Sequence, residues 1–112
     1  MVGPSKAEIW RADFGGSRGH EQKKERPCVI WRDFDHLGMA IVIPFTSSIE
    51  QGEHPYTHLV EPTASNGLEK ESIALAFQIT SIDKGRLIKK MGNLESGEIS
   101  AIGAVLKDML RV

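Results

Sequence analysis

Between Met39 and Phe45 the chain reads Met-Ala-Ile-Val-Ile-Pro-Phe, a run without a single charged or hydrogen-bonding side chain. A strand with one wet face alternates apolar and polar residues. An unbroken apolar run centred on Ile41, Val42 and Ile43 reads instead as a strand buried on both faces. Such a strand needs neighbours beside it and cover above and below, so the rest of the chain has to supply a sheet. Pro44 has no N–H to give to a ladder and is expected to mark the end of this strand or an edge. Directly after it, Thr46, Ser47 and Ser48 place three hydroxyls at the mouth of the buried strand, a position at which strands commonly present site residues.

The other elements read as short strands joined by turn-rich segments. Glu8–Phe14 mixes β-formers with charges and stops at Gly15-Gly16, and a long polar loop, Gly15–Lys24, leads to a second strand over Cys28–Arg32. Asp33–Gly38 is a turn, Gln51–Pro55 a loop, Tyr56–Val60 a short strand and Glu61–Gly67 a further turn. Ser72–Ile79 reads as one apolar strand, Ser81–Lys84 as a short helix or turn, and Leu87–Asn93 as the last strand. Ser96–Leu110 is the clearest element: Ser96 suits an N-cap, Glu98 and Lys107 complement the helix dipole, and Ile99, Ile102, Val105, Leu106, Met109 and Leu110 share one face. Gly103 within that helix points to close approach of the sheet or of a partner. The expected fold class is therefore mainly β with helices (β+α), a small SH3-like barrel or strongly bent antiparallel sheet carrying a C-terminal helix, in one domain over residues 1–112.

At 112 residues and 40% hydrophobic composition the chain can build one small core, and much apolar surface stays uncovered, which suits a homodimer. No apolar run approaches the roughly 18 residues of a membrane span, and Met1–Lys6 has no apolar leader segment, so a soluble cytoplasmic protein is expected. The single cysteine, Cys28, reads as a small buried hydrophobe. The net charge of −1 conceals a division: residues 1–32 sum to +3, residues 33–83 to −7 with Lys70 their only basic residue, and residues 84–112 to +3. If the two basic segments meet, an anionic partner such as RNA can bind there, and the acidic middle is expected to face away from it.

Four histidines raise the question of a metal. His54 and His58 have a zinc-like spacing, but Pro55 breaks the helix that would align them and nothing completes the set, so no metal and no cofactor is expected. There is neither a nucleotide-binding glycine loop nor a nucleophile elbow. What remains is metal-free acid–base chemistry on an anion. In RNA the 2′-OH sits beside its own phosphodiester, so cleavage needs a base, a cation for the phosphorane oxygens and an acid for the leaving 5′ oxygen. Gly19–Arg26 carries all three: Arg26, aimed by Pro27, for the charge, and Glu21 or His20 for the proton. An ordinary solvated loop is the competing reading of the same residues.

Glu8-Ile9-Trp10, Gly19-His20-Glu21-Gln22, Arg26-Pro27, Pro44-Phe45-Thr46-Ser47, Gln78, Ser81-Ile82-Asp83 and Arg86-Leu87 stand in an order and spacing that resembles the MazF/PemK toxins over about residues 8–110. The resemblance implies a PemK/CcdB-type sheet, a homodimer, and a sequence-specific, metal-independent endoribonuclease that cuts single-stranded mRNA by 2′-OH attack. Cyclic phosphate and 5′-OH products and neutralisation by a cognate antitoxin are implied with it. On this resemblance Arg26 stands at the catalytic arginine, Thr46 at the threonine that holds the scissile phosphate, and Glu21 and His20 at the candidate bases. Lys23, Lys24, Ser47 and Gln78 are the candidate RNA contacts.

One departure stands out. Where many members have an acidic residue before the glutamine, and PemK-like ones an arginine two positions earlier, this chain has Phe77 and Leu75. That leaves Gly19–Arg26 as the expected source of the base, or else a weakened enzyme. Phe77 could offer a stacking face for a base, but is expected in the core. The alternatives from other classes are a non-nucleolytic, gyrase-poison-like toxin that docks through its C-terminal helix, and an inert fold that only binds an antitoxin-like peptide.

Overall fold

The computed structural model describes residues 4–15 and 25–112. Among the described residues seven strands, β1 (Glu8–Asp13), β2 (Glu25–Phe34), β3 (Met39–Thr46), β4 (Thr57–Val60), β5 (Ser72–Leu75), β6 (Thr80–Asp83) and β7 (Leu87–Asn93), precede one α-helix, α1 (Ser96–Leu110). They form an antiparallel sheet in the order β4-β5-β3-β2-β1-β7, with β6 also paired to β3. The sheet does not close, so of the two expected forms it is the bent sheet and not a barrel that this chain adopts. Among the described residues no helix is long and apolar enough to cross a membrane.

The apolar run is β3, and it is covered on both faces as its sequence requires. Ile43 and Phe45 join the core beneath α1 with Ile9, Val29, Ile102 and Leu106. Ala40 and Val42 point the other way, into a second core with Cys28, Ile30 and Ile82. Burial pushes the Cys28 thiol up to about 12 and leaves it a hydrophobe rather than a nucleophile.

Several expectations need correcting, among them the short helix or turn over Ser81–Lys84, most of which is instead the strand β6. Pro44 lies inside β3 and in mid-sheet, because the outer edge of β3 changes partner there: Met39–Val42 pair with β6, and Phe45–Thr46 pair with β5. On that outer edge neither β5 nor β6 is in register with Pro44. The expected strand Ser72–Ile79 breaks for the same reason. Continuing the β5 register from Phe45↔Ala74 would set Phe77 opposite Val42, whereas Val42 pairs with Thr80, three residues further on. Ala76–Gln78 coil into a one-turn 3-10 helix that absorbs those three residues. Phe77 is lifted out of the ladder and stands 40% exposed, not in the core. Finally, Ser96 begins the helix but does not cap it: Glu95 is the N-cap and makes no side-chain cap bond.

Gly103 is not forced by a clash, since an added Cβ would sit 3.9 Å from Trp31. It borders an apolar groove of about 670 Å³ between α1 and the sheet, with Trp31, Ile41, Ile79 and Leu110 around it.

Candidate active site

The two basic segments do meet, because β1 pairs with β7 and sets Arg11 opposite Lys89. Beside this pairing, a cavity of about 270 Å³ opens where β2, the end of β3 and the segment before β5 converge. Arg11 comes from β1, Glu25 and Arg26 from β2, Thr46 and Ser47 from the end of β3, and Glu69 and Lys70 from the segment entering β5; Phe45 and Leu68 form apolar wall. Among the described residues, none of Arg11, Arg26, Lys70, Glu25 and Glu69 has a side-chain ion pair or hydrogen bond. Three cations against two carboxylates leave the described wall at +1, with no internal partner using that charge.

Local sequence explains the placement. Pro27 follows Arg26 at the start of β2, and both line the cavity, so the rigid Arg-Pro step delivers the guanidinium from the end of a strand anchored by buried Cys28, Val29 and Ile30. Thr46 is the last residue of β3, anchored by buried Phe45. Its Oγ1 accepts a hydrogen bond from the Ser48 N–H at 3.2 Å. A hydroxyl with one lone pair engaged keeps its proton to donate elsewhere, and the Thr46 hydroxyl is a positioned donor at the cavity wall.

The structure thus brings together Arg26, Thr46 and Ser47. Gln78 does not line the cavity: it is exposed in the 3-10 turn beyond the opposite end of β5. The expectations for His20, Glu21, Lys23 and Lys24 lie outside the described residues. Leu75 is buried and Phe77 exposed, and neither borders the cavity. The histidines 54 and 58 have separate partners: His58 Nε2 lies 2.6 Å from Glu98 Oε1, tying β4 to the first turn of α1, and the His54 ring stands edge-on to Phe77.

The acidic middle segment contributes Thr46, Ser47, Glu69 and Lys70 to the wall, and Glu69 brings a carboxylate there from outside Gly19–Arg26. Lys70 carried a signal, as the one cation among eight acids in residues 33–83. Arg11 and Glu69 carried none, because only strand pairing and loop path bring them here.

Fold and cavity together define a small β-sheet protein that offers a net-cationic pocket with hydroxyl donors at the end of its central strand. The chain belongs to the PemK-like, MazF-like toxin family of type II toxin-antitoxin systems, whose family model matches residues 5–110. It is 31% identical over 110 residues to the endoribonuclease MazF9 of Mycobacterium tuberculosis, covering 91% of this chain and 92% of that one. It is 30% identical over 105 residues to the endoribonuclease EndoA of Bacillus subtilis, covering 91% and 90%. In fold it is similar to MazF of Deinococcus radiodurans crystallised with MazE, with a TM-score of 0.80 at 20% identity over 100% of this chain and 99% of the other.

Proposed function

We propose that this single-domain protein is a toxin endoribonuclease that cuts single-stranded mRNA in the cytoplasm by attack of the 2′-OH on the adjacent phosphodiester. The observation that carries the reading is the cavity wall: Arg26, Arg11 and Lys70 without partners among the described residues, beside the Thr46 hydroxyl. A net +1 wall suits one phosphodiester charge. Arg26 stabilises the second negative charge that develops on the phosphorane, Thr46 donates to a non-bridging oxygen, and of Glu21 and His20 one takes the 2′-OH proton while the other, protonated, gives its proton to the leaving 5′ oxygen as the P–O5′ bond breaks. These groups account for the reaction without a metal ion, and the products are a cyclic phosphate and a 5′-OH end. Lys23 and Lys24 contact phosphates of the RNA, and Ser47 and Gln78 contact flanking nucleotides.

The experiment is cleavage of a sequence-diverse single-stranded RNA pool by purified protein in EDTA. Cyclic phosphate ends should appear, and Arg26→Ala should abolish them; no cleavage of any RNA by the wild type overturns the reading. The protein-docking alternative predicts instead that Arg26→Ala remains toxic to cells.

Two partners complete the proposal. Relatives of this fold are found with MazE or with a cognate antitoxin, and a cognate antitoxin is proposed here as the inhibitor. A second copy of the chain is proposed to cover the apolar groove on α1, where Leu110 and Val112 are 55% and 81% exposed.

A further inference from the structure

We infer that Lys70 is a second phosphate-binding cation, held in the same cavity wall as Arg26 by a loop built to keep it there. The inference rests on the reading of the cavity as an RNA-phosphate site and adds a residue to it.

The first observation is one of charge. Lys70 is the only basic residue between positions 33 and 83, flanked in sequence by Glu69 and Glu71. An exposed lysine between two glutamates on an ordinary surface is a solvated charge. This one lines the cavity with Arg26, Arg11 and Thr46, and no carboxylate among the described residues pairs with it. Without Lys70, the described wall would hold two cations against two carboxylates and have no net attraction for a phosphodiester.

The second observation is how the loop is made. Asn66 is fully buried, and its side chain takes the place of a missing secondary structure. Its Oδ1 accepts from the N–H groups of Thr63 and Leu68 at 3.0 and 2.9 Å, and its Nδ2 donates to the Glu61 carbonyl at 2.9 Å. Gly67 follows at φ +71°, with the Met91 carbonyl oxygen 2.1 Å from where a Cβ would be, so only glycine fits. Leu68 then plugs into the core. Beyond Lys70, buried Ser72 donates its hydroxyl to the Lys70 carbonyl at 2.9 Å. Glu69 and Lys70 are thus an exposed pair clamped between Leu68 and Ser72. Such a clamp fixes where the lysine stem leaves the backbone, and leaves only side-chain rotation to be lost when a phosphate binds.

The chemistry fits a division of labour. A guanidinium grips two oxygens in fixed geometry, whereas an ammonium is a compact point charge on a flexible stem that can follow the phosphate as its charge grows. Arg26 supplies the first from β2 and Lys70 the second from the segment entering β5.

The test measures binding of mixed-sequence 2′-O-methyl RNA, which cannot be cut, against salt concentration. Lys70→Ala should weaken binding about fivefold or more at 0.1 M salt and lower the salt slope by about 1. Lys70→Arg should restore both, and the unfolding midpoint should not move. Unchanged affinity and slope in Lys70→Ala, with wild type still cutting RNA, overturn the role of Lys70 and leave the function standing. A parallel titration with inorganic phosphate follows the Lys70 and Arg26 resonances by NMR. If the wild type neither binds nor cuts RNA but phosphate shifts both residues, the RNA reading fails and the two-cation site stands. If phosphate moves neither, both fail.

Discussion

Arg26 and Thr46 stand at one level of the sheet on neighbouring strands, since the register that pairs Cys28 with Pro44, carried two residues further, sets them opposite each other. This relationship brings a guanidinium and a hydroxyl from separate parts of the chain to one cavity, the proposed phosphate site. Neither group supports the fold through its side chain: Arg26 has no partner among the described residues, and the one bond to Thr46 Oγ1 comes from an exposed turn. Arg26→Ala should therefore shift unfolding stability by no more than about 0.5 kcal/mol while lowering RNA cleavage by at least about 10². Thr46→Ser should keep most of the activity, and Thr46→Val should lose roughly tenfold or more through the missing donor. Single-turnover cleavage alongside urea denaturation checks both halves of the statement.

Phe77 stands where the family resemblance implies a carboxylate, and the 3-10 turn Ala76–Gln78 leaves it exposed and outside the cavity lining. A carboxylate put back at this position should stand in solvent. Phe77→Asp is expected to change stability by less than about 1 kcal/mol, as an exposed substitution does. It should change cleavage by less than about tenfold, because general acid–base help worth 10²–10⁴ needs contact with the reacting groups. A gain of a hundredfold would show that the position reaches the substrate after all.

The sheet and helix were legible because hydrophobic pattern reports burial directly. The run from Met39 to Phe45 is covered on both faces, and the helical stripe buries Ile102 and Leu106. What the pattern did not carry was change of partner along a strand. Pro44 looked like a terminus because its missing N–H counts only if a neighbour is waiting for it, and the neighbour changes at that residue. Phe77 looked like core because alternation cannot register a three-residue insertion. Of the site, Arg26 and Thr46 announced themselves through Pro27 and the end of the apolar run. Arg11, Glu69 and Lys70 depend on pairing and loop path, which are non-local.

The loop that carries Lys70 should be the part of the fold most sensitive to polar truncation. Asn66→Ala leaves two N–H groups and a carbonyl without partners at a fully buried position. The expected loss is about 3 kcal/mol, in line with the cost of unsatisfied buried groups. Asn66→Asp keeps the acceptor for both N–H groups but faces the Glu61 carbonyl with an oxygen, so it should lose nearly as much. Chemical denaturation checks these values. Near-wild-type stability of Asn66→Ala would mean that the loop holds its shape without the side chain.

Cys28 gives the fold an alkaline limit. Burial raises the thiol from an ordinary 9.0 to about 12 in the folded chain, so the folded state keeps the proton that the unfolded chain gives up. A raised folded value contributes stability in full below pH 9, and that contribution is lost as the pH rises through the interval to 12. At about 1.4 kcal/mol for each pH unit, the loss reaches on the order of 4 kcal/mol by pH 12. Cys28→Ala, less stable at neutral pH because of the volume it removes from the second core, should lack this component, so the gap between the two proteins narrows from pH 9 upward. Urea midpoints measured across that range decide it. A constant gap would mean that the thiol ionises in the folded protein as readily as in the unfolded one. The same burial predicts that a thiol reagent labels Cys28 only at the rate of unfolding at pH 8, with no faster reaction in the native state.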